Sequence, residues 1–388
     1  MIEKFKQPSG VKDSLPTECI AKKKTEEILL AKFASYGCRQ IDTPVLEYGE
    51  MYAGAGRYEL RRLFKLTDTD GNLLVLRPDM TMPISRIVAT KFEPGSYKLC
   101  YLGKTFRLAP RSGLREFTQA GVEYMGCPGT AFDAEAVALA IEALRACGLD
   151  GFIIDIGHVG FFGGILDLLG LDPKKRDELA ALVERKDVIG ESLFAAREGL
   201  DPEIMKLLSR LPMLFGDGKV LDEAERLCMN DAMRRSVSEL KALDAALVAA
   251  GYGDRISYDL SLVGEMSYYS GLVFKGLCEG AGSPVLSGGR YDRLCDAFGR
   301  RVPSVGFAVG VDVLTEALGS AGSDDIRVYA AVGCDGDARS VGAALALAAK
   351  LSSEGRTVEL LGECEEESVV SAAAERRIYY RRGEEIRL

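Results

Sequence analysis

The chain has 388 residues, more than one typical domain holds, so two or three domains are expected. Its net charge is −9 with a pI of about 5.1, and no run of five basic residues occurs, which argues against a polyanion as its main partner. The opening MIEKFKQPSG has no apolar segment and no stretch of eighteen apolar residues follows, so the expected setting is the cytoplasm, without membrane contact.

Taken in chain order, residues 17–35 place Ile20, Ile28, Leu29 and Phe33 at helical spacing among lysines and glutamates, and Gly37 ends that helix. CRQIDTPVLEYGE reads as a short strand interrupted by Pro44, which lacks a ladder donor and suits a strand end or an edge. FKLTDTDGNLLVLRPD predicts a hairpin turning at Asp70-Gly71. A second strand pair is expected in SYKLCYLGKTFRL and REFTQAGVEYMG, and a helix over 131–147. Antiparallel strands with intervening helices indicate an α+β fold and not a dinucleotide-binding βαβ fold.

From 171 to 250 the chain becomes charged and helical, with no convincing strand, and reads as a helical insertion into a core formed by 1–170 and 251–320. Strand signals return at RISYDLSLV, SYYSGLVFKG, SPVLSGGRYD and PSVGFAVGV, the last running into a helix through Leu314. LGSAGSDD, 318–325, is the linker candidate. Beyond it, IRVYAAVG, an alanine-rich helix and TVELLG predict a small α/β domain over 325–388.

Ten scattered cysteines form no C-x-x-C pair and only one histidine, His158, could join them, so free thiols are expected and no metal or cofactor. His158 ends the apolar run FIIDIGH, where capping or packing suits it better than catalysis.

Four separated segments carry candidate chemistry. LLVLRPDMT places Asp79 and Thr81 where a strand leads into a helix, as helix caps or as site residues. KTFRLAPRSGLREFTQAGVEYMG offers Arg107, Gln119 and Glu123 on a strand, loop and strand. SYYSGLVFKG, read as a strand, puts Tyr268 and Tyr269 on opposite faces, one packed and one toward a cavity. LSGGRYD and VPSVGFAVG are glycine-rich, and Gly288-Gly289 has a turn as its ordinary explanation.

In that order, LRPDMT, FR…REFTQAGVE, YYSG and GGRYD…GFAVG resemble the motifs of histidyl-tRNA synthetase across residues 1 to 320, and YGCRQIDTPVLE is similar to the class II dimer motif. The resemblance implies a class II synthetase-like antiparallel sheet flanked by helices, with a truncated anticodon-binding-like domain at the C-terminus. It also implies a free-histidine pocket. Asp79, Thr81 and Gln119 would accept from the α-ammonium, Arg107 would hold the carboxylate, and Glu123 and Tyr269, beside Tyr268, would serve the imidazole.

Three departures concern ATP. The acidic residue that follows the arginine in the synthetases is missing at Leu108-Ala109, a family arginine is replaced by Gly264, and another by Val313. Adenylation builds negative charge that positive groups must meet. The chain therefore resembles the regulatory subunit of ATP phosphoribosyltransferase, a synthetase paralogue that does not charge tRNA. That likeness implies a non-catalytic subunit that activates a short catalytic subunit at the first step of histidine biosynthesis and carries feedback inhibition by L-histidine. A homodimer within a hetero-octamer is the implied assembly. An active histidyl-tRNA synthetase with unusual motifs is the alternative.

Overall fold

The structure, a computed structural model, describes residues 7, 10–53, 60–107, 116–263, 268–319 and 328–388. Residues 1–320 and 321–388 form two compact units.

In the first unit, α1 (Pro16–Ser35) opens on a proline whose fixed φ suits the first helical position, and it buries Leu29 and Phe33. The strand expected across Pro44 is split. β1 (Arg39–Gln40) joins one sheet and β2 (Leu46–Tyr48) another, with Pro44 in neither. The short α2 (Glu50–Ala53) follows. β3 (Lys65–Thr67) and β4 (Leu73–Leu76) form the hairpin predicted around Gly71, whose φ of +86° only glycine adopts freely.

Next come α3 (Thr81–Lys91), β5 (Tyr97–Phe106), β6 (Glu116–Met125), α4 (Thr130–Ala146), β7 (Phe152–His158) and α5 (Val159–Leu169). The helical stretch holds α6 (Pro173–Glu184), α7 (Val188–Glu198), α8 (Pro202–Arg210), α9 (Val220–Arg226) and α10 (Asp231–Ala249). It also holds β8 (Phe215–Gly216), which corrects the reading of that stretch as strand-free; a two-residue strand is too short to leave a periodic signal. β9 (Ile256–Asp259), β10 (Leu272–Cys278), β11 (Leu286–Arg290), β12 (Ser304–Gly310) and α11 (Val311–Ala317) complete the unit.

Nine strands form one sheet in the order β1-β5-β6-β12-β11-β10-β7-β9-β8, antiparallel except where β1 joins β5 and β7 joins β9. Its two faces differ because side chains alternate along each strand. One face supplies Val122, Phe307, Phe274 and Ile156 to a single apolar cluster with Leu139 and Leu144 of α4 and Val237 and Leu240 of α10. Fully burying a side chain such as Phe307 contributes about 1.5–3 kcal/mol, so this cluster is what fixes the sheet on its helices. The helical stretch is thus continuous with the core through α10.

The other face carries Gln119, Gly121 and Glu123 of β6, in register with Gly103, Tyr101 and Leu99 of β5 and with Gly310, Ala308 and Gly306 of β12. A second apolar cluster built on Met80 and Ile84 with Tyr101, Tyr291 and Cys295 covers part of this face. A small sheet, β2-β4-β3, forms the remaining β-structure of the unit.

The second unit contains β13 (Val328–Cys334), α12 (Ala338–Ser353), β14 (Val358–Glu363), α13 (Glu366–Val370), β15 (Ala374–Arg381) and β16 (Glu384–Arg387). Its sheet order is β14-β13-β15-β16, parallel except for the last pair. The strand, helix and strand expected here are joined by a closing hairpin not foreseen in the sequence, turning at Arg382 and Gly383, both at positive φ. Of the linker candidate, residues 320–325 lie outside the described residues. Among the described residues, no helix is long and apolar enough to cross a membrane.

Candidate functional site

The seven candidate residues, scattered over some 190 positions in sequence, line one cavity on the open face of the large sheet. Its space, open mouth included, is about 420 Å³.

β6 supplies the floor. Gln119 and Glu123 stand two apart on either side of Gly121, and the period-2 alternation aims all three positions the same way. Gly121 is required there, because a Cβ would lie 2.5 Å from the Tyr101 hydroxyl and 2.3 Å from the Phe307 carbonyl oxygen. On β12, a Cβ at Gly306 would lie 2.4 Å from Glu123 Oε2. Bare backbone on two neighbouring strands is what makes room for buried polar side chains.

Glu123 is 2 % exposed, and its Oε1 accepts a hydrogen bond from Thr81 Oγ1 at 2.7 Å. Thr81 opens α3, so this contact joins the helix to the sheet floor. Asp79, 3 % exposed, is tied to the start of α3 and also lines the cavity. Its Oδ1 accepts from Met82 N at 2.7 Å near the start of α3, while its buried Oδ2 has no hydrogen-bond donor among the described residues. Arg107 donates to the Pro78 carbonyl at 3.1 Å and stacks 5.6 Å from the centre of the Phe117 ring. Among the described lining residues it is the single cation, set against two carboxylates.

Tyr268 and Tyr269 reach the cavity by a different route from the one predicted. They precede β10, which begins at Leu272, so strand alternation does not place them. Instead, Ser270 N donates to the Arg290 carbonyl at 2.7 Å and Asp292 N donates to Ser270 Oγ at 2.9 Å, which pins the chain just after the tyrosines. The two rings meet edge to face at 4.9 Å, and Tyr268 lies 5.3 Å from Tyr291. His158 caps α5, with Nδ1 accepting from Gly160 N at 3.1 Å, in keeping with its sequence reading.

Sequence reasoning missed Tyr101, Ser287 and Tyr291 as lining residues. The signal for Tyr101 was available, since a large aromatic directly opposite a glycine on a neighbouring strand fills the missing side-chain space. Of the three departures, Leu108 and Gly264 lie outside the described residues. Val313 packs against the apolar cluster, and beside it Asp312 accepts from Thr118 N at 2.6 Å and pairs with Lys22 at 2.7 Å. Neither the valine nor the engaged carboxylate offers a positive charge at that helix end.

The sequence model described as histidyl-tRNA synthetase matches residues 10–314. An ATP phosphoribosyltransferase regulatory subunit from Acetivibrio thermocellus is 36% identical over 320 residues, 81% of this chain and 77% of that protein. Another, from Desulfitobacterium hafniense, is 35% identical over 94% of both chains. The chain belongs to the ATP phosphoribosyltransferase regulatory subunit family, built on the histidyl-tRNA synthetase fold.

A solved structure agrees with membership of this regulatory-subunit family, and a second shares the fold. One from Bacillus halodurans C, titled as an ATP phosphoribosyltransferase regulatory subunit/histidyl-tRNA synthetase, has a TM-score of 0.88 at 32% identity, covering 98% of this chain and 99% of that one. Histidyl-tRNA synthetase from Nostoc sp. PCC 7120 shares the fold, with a TM-score of 0.80 at 21% identity and coverage of 99% and 96%.

Proposed function

We propose that this chain is the non-catalytic regulatory subunit of an ATP phosphoribosyltransferase complex, that it activates a short-form catalytic subunit, and that it binds L-histidine in the cavity as feedback inhibitor. The observation that carries the reading is the charge pattern of the described lining residues, in which two buried carboxylates and Gln119 share the cavity with one guanidinium. An amino acid with a basic side chain complements that pattern: its ammonium and imidazole need acceptors, and its carboxylate needs one cation. ATP, with three or four negative charges, does not fit it.

Histidine alters activity on another polypeptide only if it binds two arrangements of the complex with different affinity, a coupling of about 1–3 kcal/mol in typical cases. Partnership with a second copy is supported by the outer face of the small sheet. Leu46 (45%), Tyr48 (58%) and Leu66 (44%) are exposed there, and their ladder partners Leu76 and Leu74 share that face. A contiguous apolar face suits a protein partner, and a homodimer inside a hetero-octamer would cover it. The acidic balance of the chain supports a role without tRNA.

The test mixes the purified chain with a short ATP phosphoribosyltransferase catalytic subunit and measures turnover with and without histidine. Activation by the chain, and loss of that activation on adding histidine, is the expected result. Histidine-dependent exchange of pyrophosphate into ATP by the chain alone would instead identify an active synthetase.

A further inference from the structure

The segment that presents the two cavity tyrosines is held at its far end by the end of β7 and the start of α5. Val159 N donates to the Gly271 carbonyl at 3.0 Å, and Leu272 stands opposite His158 in the β10–β7 ladder. A Cβ on Gly271 would lie 3.6 Å from His158 Nε2 and 3.4 Å from Arg290 Cδ, so imidazole and arginine flank the same short piece of backbone. Because His158 Nδ1 accepts from Gly160 N, the ring proton sits on Nε2, which faces Glu239 Oε2 of α10 at 2.9 Å. That hydrogen bond is the main cause holding the Glu239 carboxyl below its usual range, with the charges of Arg235 and Arg290 adding to it. The corner is tight, since a Cβ on Gly160 would lie 2.5 Å from Ser236 Oγ on the same helix.

From this arrangement we infer that His158 and Glu239 are positioning residues that couple occupancy of the cavity to helix α10. The connection runs from Tyr269 through Ser270 and Gly271 to the backbone of Val159 and His158, and from the His158 ring to Glu239. A ligand that engages the tyrosines fixes this segment, fixes the imidazole with it, and changes how firmly α10 is held. The helical stretch is then the part of the molecule through which occupancy is reported. This inference rests on the histidine-pocket reading and adds the route by which it acts.

Calorimetry of histidine binding and hydrogen exchange of peptides within 231–249 test it on the full chain, unmodified and as Glu239→Ala and Glu239→Gln. Glu239 is half exposed, and alanine is the best helix former, so the first variant leaves α10 formed. Glutamine keeps an acceptor for Nε2–H. Histidine is expected to slow exchange in α10 in the unmodified chain and the glutamine variant but not in the alanine variant, whose dissociation constant rises about three- to tenfold. Binding with no change in α10, or equal affinity in both variants and the unmodified chain, overturns the coupling while leaving the pocket reading intact. Failure of the unmodified chain to bind histidine overturns the pocket reading and the coupling together.

Discussion

Replacing Glu123 by glutamine isolates charge from shape in the cavity. The side chain stays the same size, its carbonyl still accepts from Thr81 Oγ1, and the bond at 2.7 Å that ties α3 to β6 survives. What disappears is a charged acceptor in a site where Glu123 is only 2 % exposed and water screens little. A hydrogen bond to a charged group contributes about 1.5–3 kcal/mol against about 0.5–1.5 for a neutral one, so the difference is about 1–2 kcal/mol. That corresponds to histidine binding weakened about five- to thirtyfold, at 1.4 kcal/mol per factor of ten. Titration calorimetry reads the dissociation constant directly, and a thermal melt on the same sample establishes that the fold is unchanged. Equal affinity in an equally stable variant would refute the assignment of Glu123 to the ligand, since the amide has lost the negative charge and one acceptor oxygen while keeping the size.

Two further expectations concern stability and assembly. Glu191 of α7 is 2 % exposed, neither of its oxygens has a hydrogen-bond donor among the described residues, and burial with the nearby Asp187 charge pushes its carboxyl up to about 7. Its folded pKa exceeds its unfolded one, so the folded state holds the proton longer and stability falls as pH rises from about 4.3 to about 7. Glu191→Gln is expected to raise the melting temperature at pH 8 by about 2–4 °C, with the gain vanishing toward pH 4; an equal gain at both pH values would contradict this. Tyr48→Lys on the exposed face of the small sheet is expected to shift the isolated chain from dimer to monomer in sedimentation, and an unchanged dimer would place the self-contact elsewhere.

Much of the fold was legible because its elements carry local signals: Asp70-Gly71 for the first hairpin, the apolar run of β7, and helical spacing in α1. The cavity was legible only through family likeness, since nothing local in DMT or YYS says that these side chains converge. Physical reasoning alone went wrong at Tyr268 and Tyr269, because alternation presumes a ladder that starts only at Leu272. Their placement depends on hydrogen bonds between Ser270 and the backbone of Arg290 and Asp292, some twenty residues away, and no window of sequence contains both ends of that contact. The hairpin of β15 and β16 escaped for a different reason. Its strands are dense in charge, with Ile378, Tyr379 and Tyr380 as their main buried side chains, so neither shows the apolar alternation that marks a half-buried strand.

The bareness of Gly121 and Gly306 limits how this protein can change. Any larger residue at either position strikes a main-chain oxygen of the adjoining strand at 2.3 Å, so adaptation cannot reshape the base of the hollow without prying the sheet apart. New ligands are accommodated instead by exchanging Gln119 and Glu123 or by altering the rim, where Thr81, Arg107 and the tyrosines stand on a helix start, a strand end and a turn. A lineage that exchanged one effector for another would therefore be expected to keep both glycines and to vary around them.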